Sequence, residues 1–266
     1  MITEVAKAKL NLALHVRARR PDGYHELETL FAFVEHGDIV TVAPAETDSF
    51  ALTGPFAGVL RGDGDNLVTR AARAFRDQFG GGAHAISLDK RLPVASGIGG
   101  GSADAAATLR ALGRLHDVAL DDMFALADRL GSDVPACLYG VTAIGRGRGE
   151  QLEPVAGLSG APVLLVNPGV AVSTAEVFRR WDGIDRGPLP ADPRTGRNDL
   201  EPPARAIAPV IGEVLDALAA QPGAGLVRMS GSGATCFALF DSAASRDAAC
   251  EVFARRGWWV LPTRLT

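Results

Sequence analysis

The sequence predicts an α+β protein, and three patterns carry this prediction. Residues 8–16 alternate between apolar and polar side chains, which is typical of a β-strand. Four of the five residues from 97 to 101 are glycine, and a helix-favouring run, 103–112, follows at once. From residue 162 to the end, strand-like and helix-like segments alternate, which indicates a small α+β sandwich with helices on one face of a sheet.

Composition and charge narrow the class of protein. Of the 266 residues, 47% are hydrophobic and 22% charged, as in ordinary water-soluble globular proteins. A net charge of −4 argues against a nucleic-acid partner. No run reaches the length of a membrane span, and the N-terminus lacks the apolar core of a signal peptide. The three widely spaced cysteines form neither a disulfide framework nor a metal pair, so we expect a cytoplasmic protein.

The first strand, residues 8–16, places two polar side chains together. Its leucines share one face, while Lys9 and Asn11 share the other, so we expect a half-buried strand with both polar residues on its open face. Such a lysine is usually only solvated, so the pattern alone assigns it no role. A turn is expected at residues 21–23, and Tyr24 and His25 follow it.

The other elements of the first half follow from turn signals and periodicity. We expect a turn at Gly37 and Asp38, a helix C-cap at Gly113, and Asp121 or Asp122 as the cap of a helix that ends at Gly131. The remaining segments are an apolar stretch at 27–34, strands at 39–42, 50–53 and 85–88, a loop at 54–66, a helix at 67–79, and a turn at a sheet edge over 140–150.

In the second half, the same signals predict the alternation of strands and helices. Its strands are expected at 163–167, 226–229, 235–240 and 258–261, its helices at 174–181, 210–218 and 244–255, and a long loop before residue 197. A second glycine-rich segment, 229–235, joins two of these strands, and alone it reads as a tight hairpin.

The glycine-rich loop at 97–101 suits an anion. Glycine lets backbone N–H groups approach a ligand closely, and the helix that follows directs its unpaired N–H groups and positive dipole end into the loop. The loop is neither a Walker A motif, which needs a lysine before Ser102, nor a dinucleotide fingerprint, whose third glycine would fall on Ser102. A flexible hinge is the alternative, but a hinge does not normally lead straight into an alanine-rich helix.

The segment from Pro93 through Gly-Ile-Gly-Gly-Gly-Ser-Ala resembles the phosphate loop of the GHMP small-molecule kinases. The resemblance covers nearly the whole chain and implies a ribosomal-protein-S5-like N-terminal domain and a ferredoxin-like C-terminal domain. We place the ATP-binding, catalytic domain at 1–155 and the substrate-side α+β domain at 156–266. ATP and Mg²⁺ are the implied cofactors, with the metal ligands unassigned. The implied ATP-binding residues are Pro93, Val94, Ala95, Ser96, Gly97, Ile98, Gly99, Gly100, Gly101, Ser102 and Ala103.

The resemblance also implies catalytic residues. The segment 131–135, Gly-Ser-Asp-Val-Pro, is similar to the one in which this family carries its catalytic aspartate, and Asp133 is the matching residue. By itself an aspartate at such a corner is most often a turn or cap residue. Lys9, if it lies against Asp133, would keep that carboxylate ionised and add positive charge beside the acceptor oxygen.

Substrate selection rests on two further segments. Ala-Lys-Leu-Asn-Leu at 8–12 and Asp-Gly-Tyr-His at 22–25 resemble the branch of the family that phosphorylates a cytidine diphosphate-linked methylerythritol. Tyr24 would stack on the cytosine, His25 would hydrogen-bond its edge, and Phe178 would cover its other side, with Asn11 as a further substrate-binding residue. Without the motif, a half-buried tyrosine and a turn histidine would be an equally good interpretation of Tyr24 and His25.

Small departures and two alternatives remain. Ala103 and Asp104 stand where relatives often carry Ser and Asn, and Ser132 where many have alanine; none of these changes removes a backbone donor or a proposed catalytic side chain. The segment 198–201 is expected to cap a helix. The alternatives are a kinase acting on mevalonate, phosphomevalonate or homoserine, and a catalytically silent nucleotide-binding module. Tyr24 and His25 argue against the first, and the presence of both Lys9 and Asp133 against the second.

Overall fold

The computed structural model describes residues 1–60 and 65–266. In these ranges the strands are β1 (Ile2–Arg19), β2 (His25–Ala45), β3 (Ser49–Thr53), β4 (Ala83–Asp89), β5 (Ala143–Gly147), β6 (Gln151–Pro154), β7 (Pro162–Asn167), β8 (Ala224–Met229), β9 (Cys236–Phe240) and β10 (Trp259–Arg264). The α-helices are α1 (Ala57–Leu60), α2 (Leu67–Phe79), α3 (Gly100–His116), α4 (Phe124–Leu130), α5 (Val134–Tyr139), α6 (Thr174–Arg179), α7 (Glu201–Ile207), α8 (Val210–Ala219) and α9 (Ala243–Ala254).

These elements form two compact units that interleave along the chain. The first unit comprises residues 1–8, 36–94 and 99–140, and the second comprises residues 9–35, 95–98 and 141–266. The long strands β1 and β2 each contribute residues to both units. The division into domains at residues 1–155 and 156–266 stays a prediction.

The first unit contains the C-terminal part of β2, strands β3 and β4, and helices α1 to α5. β3 pairs in parallel with β4, and β4 pairs antiparallel with the C-terminal part of β2, from Ile39 opposite Asp89 to Ala45 opposite Ala83. Helix α3 packs against α2 and α5, and α4 packs against α2 and α5 as well. Helix α2 begins after Asn66, whose side chain accepts hydrogen bonds from two N–H groups of its first turn.

The second unit contains part of the six-stranded sheet of order β3-β4-β2-β5-β6, in which β1 also pairs with β2, and the whole of a four-stranded sheet. The N-terminal part of β2 pairs with β5, and β5 pairs with β6, all antiparallel. The other sheet is antiparallel with strand order β10-β7-β9-β8, and helices α8 and α9 pack against its strands. The chain order strand, helices, two strands, helix, strand with this sheet order is the ferredoxin-like arrangement predicted for the C-terminal part.

The turn expected at Gly37 and Asp38 is wrong, because β2 runs through both residues as one strand of 21 residues. Gly37 instead allows β2 to lie close to β1. A Cβ there would lie 2.0 Å from the Ala6 carbonyl oxygen, so only glycine permits this approach of the two strands. The expected loop at 54–66 includes helix α1, and its residues 61–64 lie outside the described residues. The prediction of a turn over 140–150 is also wrong in part, since β5 is a strand between β2 and β6.

Two helix ends also differ from the prediction. Gly113 lies inside α3, where a Cβ would come within 2.7 Å of the Met123 side chain, and the C-cap is Asp117 in the left-handed region. Asp121 lies within a short 3₁₀-helix before α4, and its side chain does not cap it. Gly113 is needed for the close packing of α3 against Met123, and the local sequence does not distinguish such a glycine from one that ends a helix.

No helix within residues 1–60 and 65–266 combines the length and the apolar character needed to cross a lipid bilayer.

Candidate active site

The polar residues of β1 are buried, which corrects the expectation of an open strand face. Lys9 is 3% exposed and Asn11 2% exposed. The leucines on the opposite face are buried as well, so β1 is covered on both faces. The polar face is covered by β2, since the Lys9 ammonium lies 5.3 Å from the centre of the Phe31 ring and the Asn11 amide donates to the Thr29 hydroxyl at 2.8 Å. A buried ammonium needs hydrogen-bond partners, and one is the Asn11 Oδ1 atom at 2.9 Å.

Both glycine-rich loops are tied to β1 in the second unit. The backbone N–H of Asn11 donates to the Ser230 hydroxyl at 3.1 Å, and that hydroxyl donates to the Gly97 carbonyl at 3.0 Å. The Lys9 N–H donates to the Ile98 carbonyl at 3.0 Å, and the Thr235 N–H to the Ser96 carbonyl at 3.1 Å. The second glycine-rich loop therefore lies directly against the first one at residues 96–98.

The close approach of these loops requires glycine. Gly97 has φ +78°, and a Cβ there would lie 2.5 Å from the Ser230 carbonyl oxygen. Gly231, with φ +55°, would place a Cβ 2.8 Å from the Gly97 carbonyl oxygen. The Asn198 amide donates to the carbonyls of Met229 and Gly231 at 2.8 Å each, which fixes the second loop. A side chain at either glycine would push the loops apart.

Helix α3 begins as an anion site requires. Gly99, in the left-handed region at φ +65°, precedes the helix, and no side chain caps it. The first backbone bond of the turn is from the Ala103 N–H to the Gly99 carbonyl at 2.8 Å. The N–H groups of Gly100, Gly101 and Ser102 have no partner within the helix, and the positive end of the helix dipole lies beside them. Backbone N–H groups arranged in this way can donate hydrogen bonds to an anion.

Asp133 lies immediately before helix α5 in the first unit. It has helical backbone angles, is partly exposed, and its carboxylate does not cap the helix that follows. Asp133 therefore occupies a turn and the position before the helix, as expected of an aspartate at such a corner, but without a side-chain bond that caps the helix. Pro135 lies within the first turn of α5, where the absence of an N–H costs nothing.

The third group of candidate residues forms an aromatic cluster in the second unit. The turn at 21–23 is present, and Tyr24 after it is 50% exposed. The His25 ring packs on Phe178, with centres 4.8 Å apart, and on Trp181, with centres 5.7 Å apart. The Arg148 guanidinium lies 5.0 Å over the Tyr24 ring.

His25 has a property suited to ligand binding. Burial, with the nearby Arg19 charge, lowers the pKa of this imidazole, which favours the neutral ring. Its Nε2 atom is buried and has no hydrogen-bond partner among the described residues. A neutral imidazole nitrogen can donate or accept according to its tautomer, so it can pair with the polar edge of a base.

Sequence reasoning missed several residues around these sites. Thr29 and Ser230 hold Asn11, Asn198 holds the second loop, and Arg148 and Trp181 complete the aromatic cluster. A serine or threonine within a strand or loop gives no signal of its own. Asn198 is the exception: its segment was expected to cap a helix, and its Oδ1 accepts the Leu200 N–H just before α7.

The comparisons with known proteins identify the class. A family model described as the GHMP kinases N-terminal domain matches residues 66–141, and a model described as GHMP kinases C-terminal matches residues 190–257. The chain belongs to the GHMP kinase family, as its phosphate loop and ferredoxin-like sheet indicate. Membership implies ATP as the phosphoryl donor.

The similar proteins carry one specific name. A protein of Rhizorhabdus wittichii named 4-diphosphocytidyl-2-C-methyl-D-erythritol kinase is 59% identical, over 99% of this chain and 94% of that protein. A crystal structure of 4-(cytidine 5'-diphospho)-2C-methyl-D-erythritol kinase has a TM-score of 0.85 at 38% identity, covering 99% of both chains. The mevalonate kinase of Methanococcus jannaschii, with a TM-score of 0.70 at 11% identity over 100% of this chain and 98% of that one, shares the fold.

Proposed function

We propose that this chain transfers the γ-phosphoryl group of ATP to the 2-hydroxyl of 4-diphosphocytidyl-2-C-methyl-D-erythritol, a step of non-mevalonate isoprenoid precursor synthesis. The observation that carries the proposal is the His25 ring, packed on Phe178 beside the half-exposed Tyr24, with a buried and unpaired Nε2 among the described residues. A kinase for mevalonate or homoserine has no base to recognise. The high identity to kinases named for this substrate supports the same assignment.

For the donor, we assign the ATP phosphates to the loop at 93–103. Phosphoryl transfer needs the phosphates held, their charge neutralised and the acceptor oxygen placed in line. The left-handed backbone at Gly97 and Gly99 and the uncapped start of α3 support this assignment, because both leave backbone N–H groups for phosphate oxygens.

For the acceptor, we assign two residues. Its tertiary alcohol is hindered and a poor acid, so we give Asp133 the role of accepting the hydroxyl proton as the new bond to phosphorus forms. We give the Lys9 ammonium the role of stabilising negative charge on the acceptor oxygen. The bond from Lys9 Nζ to Asn11 supports this role, because it fixes the ammonium before the substrate arrives.

Mg²⁺ belongs to the proposal as the ion that accompanies ATP. Within residues 1–60 and 65–266 no group of three or more His, Cys, Asp or Glu side chains could hold a metal ion. A bound Mg²⁺ would neutralise phosphate charge, and in kinases it takes much of its coordination from the phosphates themselves. We assign it no protein ligand and derive no step through it.

For the substrate base, we assign Tyr24 as the stacking platform, His25 as the polar partner and Phe178 as the opposite cover, with Asn11 beside the acceptor. We place the reaction in the cytoplasm. The three cysteines, Cys137, Cys236 and Cys250, are all free thiols, which is compatible with a reducing compartment.

The proposal is tested by measuring ADP release with Mg²⁺-ATP against three acceptors: the diphosphocytidyl methylerythritol, mevalonate and homoserine. We expect turnover with the cytidyl compound alone. Turnover with another acceptor would keep the kinase and remove the base-binding role of Tyr24 and His25. Binding of ATP without turnover on any acceptor would favour a silent nucleotide-binding module.

A further inference from the structure

Three charged side chains are buried together in the first unit, beneath the start of α3. Lys90 is 2% exposed, and its ammonium lies 2.5 Å from Asp38 Oδ2 and 2.7 Å from Asp104 Oδ2. The other oxygen of Asp38 accepts the N–H groups of Arg91 and Leu92, in the segment that leads to the glycine loop. The cluster therefore links β2, the segment after β4, and α3.

The cluster contains two carboxylates, Asp38 and Asp104, and one ammonium, Lys90, and one of the carboxylate oxygens has no hydrogen-bond partner among the described residues. Asp104 Oδ1 is buried and has no hydrogen-bond partner among the described residues. An ionised carboxylate with an unpaired buried oxygen is unfavourable, and a proton on that oxygen would remove the excess charge. Consistent with this, burial, opposed by Lys90 and reinforced by Asp38, raises the pKa of Asp104 to about 8.

The two charged groups that act on Asp104 lie outside α3. Lys90 directly follows β4, and Asp38 lies on β2. Helices α2 and α5, which pack on α3, contribute apolar buried residues apart from Cys137 on α5. The Lys90 ammonium balances one of the two carboxylates, so the protonation of Asp104 sets the net charge of the cluster.

Asp104 is close to the proposed phosphate-binding turn. It lies four residues after Gly100, and residues so spaced on a helix are neighbours about 5–6 Å apart. A Cβ at Gly100 would lie 3.2 Å from the Lys90 ammonium, so the cluster lies directly under the first turn. A negative charge here opposes phosphates at the N–H groups of Gly100, Gly101 and Ser102.

We propose that Asp104 is a positioning residue that takes up a proton from solvent, on its Oδ1 atom, when the phosphates of a nucleotide bind at the start of α3. Asp38 and Lys90 hold it beneath that turn. This inference rests on the proposed function in one respect, that the ligand is ATP. It does not depend on which acceptor is phosphorylated or on how the phosphoryl group is transferred.

The sign of the pH dependence follows from linkage. Bound phosphates stabilise the neutral carboxyl, so the pKa of Asp104 is higher in the complex than the value of about 8 in the free protein. Below about pH 7 the group is already protonated and nucleotide affinity is insensitive to pH. As pH rises through 8, the affinity falls, because binding then requires a proton from solvent.

The experiment is isothermal titration of the whole protein with Mg²⁺-ATP, without acceptor, at pH 8.5 in two buffers of different ionisation enthalpy. We expect net proton uptake by the wild-type protein and none by Asp104→Asn, which mimics the neutral carboxyl. At pH 9, Asp104→Asn should bind ATP about tenfold more tightly than wild type, and at pH 7 equally. Asp117→Asn, an exposed aspartate at the other end of α3, is the control and should behave as wild type.

Proton uptake is measured on the wild-type protein itself, so this part of the test does not depend on whether any variant folds. Absence of proton uptake by the wild type, or uptake that persists in a folded Asp104→Asn, would overturn the proposal. A merely structural role for Asp104 would weaken binding at every pH rather than strengthen it at high pH. The assay with three acceptors tests the proposed function separately. Proton uptake on ATP binding does not depend on which alcohol is phosphorylated, so the two proposals can fail independently.

Discussion

Lys9 Nζ donates a hydrogen bond of 2.9 Å to Asn11 Oδ1, two residues along the same face of β1. The Asn11 amide in turn donates to Thr29, and its backbone N–H to Ser230, so the asparagine is held from both sides. This bond fixes the position of a buried ammonium. The proposed catalytic cation is thus preorganised by the strand that carries it.

Lys9→Met removes that ammonium while keeping the length of the side chain. We expect kcat to fall by about 10²–10³ with ATP affinity nearly unchanged, because the charge acts on the acceptor oxygen during transfer. Steady-state kinetics and ATP titration check this. Lys7→Met, two residues away on the same strand, is the control. A Lys9→Met protein with normal kcat would remove Lys9 from the mechanism.

Asp133→Asn tests the proposed general base. The amide cannot accept the hydroxyl proton, so we expect kcat to fall by about 10²–10⁴ while ATP still binds. The control is the adjacent substitution Ser132→Ala. It should retain near-normal turnover, since the Ser132 hydroxyl has no role in the proposed mechanism. If Asp133→Asn turned over at the wild-type rate, the proton would have another acceptor.

Tyr24→Ala tests the base-binding cluster. Loss of one aromatic platform costs about 1–3 kcal/mol of base stacking, so the KM for the cytidyl substrate should rise about tenfold or more while the KM for ATP stays the same. Tyr24→Phe keeps the ring and should resemble wild type. Equal weakening of both substrates would show that Tyr24 only supports the fold.

Gly97→Ala tests the contact between the glycine-rich loops. The new methyl group would meet the Ser230 carbonyl and force alanine to φ +78°, so the free energy of unfolding should fall by about 2–4 kcal/mol. Chemical denaturation measures the change. Gly82→Ala, with nothing within 4 Å of its added Cβ, is the matched control. Equal stability of the two variants would contradict the close approach.

Much of the fold could be predicted from local patterns. Helix α2 was predicted at 67–79, where the structure has it, because its apolar spacing is a signal that acts within a few residues. The glycine-rich loop and the helix after it follow from the same kind of signal. Helix α7 was given no range of its own, although the segment 198–201 was expected to cap a helix there, since α7 is short and its first turn contains two prolines.

The burial of β1 on both faces could not be predicted. Alternation reports one apolar face, whereas the cover on the polar face comes from Phe31, Thr29 and Ser230, up to 219 residues away in sequence. Gly37 looked like a turn because a glycine that permits close chain approach has the same local sequence as one that bends the chain. The partners of Asp104 were hidden for the same reason: Asp38 and Lys90 lie on other elements.

The most direct test of the central claim is ³¹P NMR of the product formed from Mg²⁺-ATP and 4-diphosphocytidyl-2-C-methyl-D-erythritol. The 2-hydroxyl is on a carbon that bears no hydrogen. We therefore predict a new phosphomonoester signal without three-bond coupling to a carbinol proton, together with an intact diphosphate. A new signal split by carbinol protons would place the phosphate on another hydroxyl, and no new signal would mean that this compound is not the acceptor.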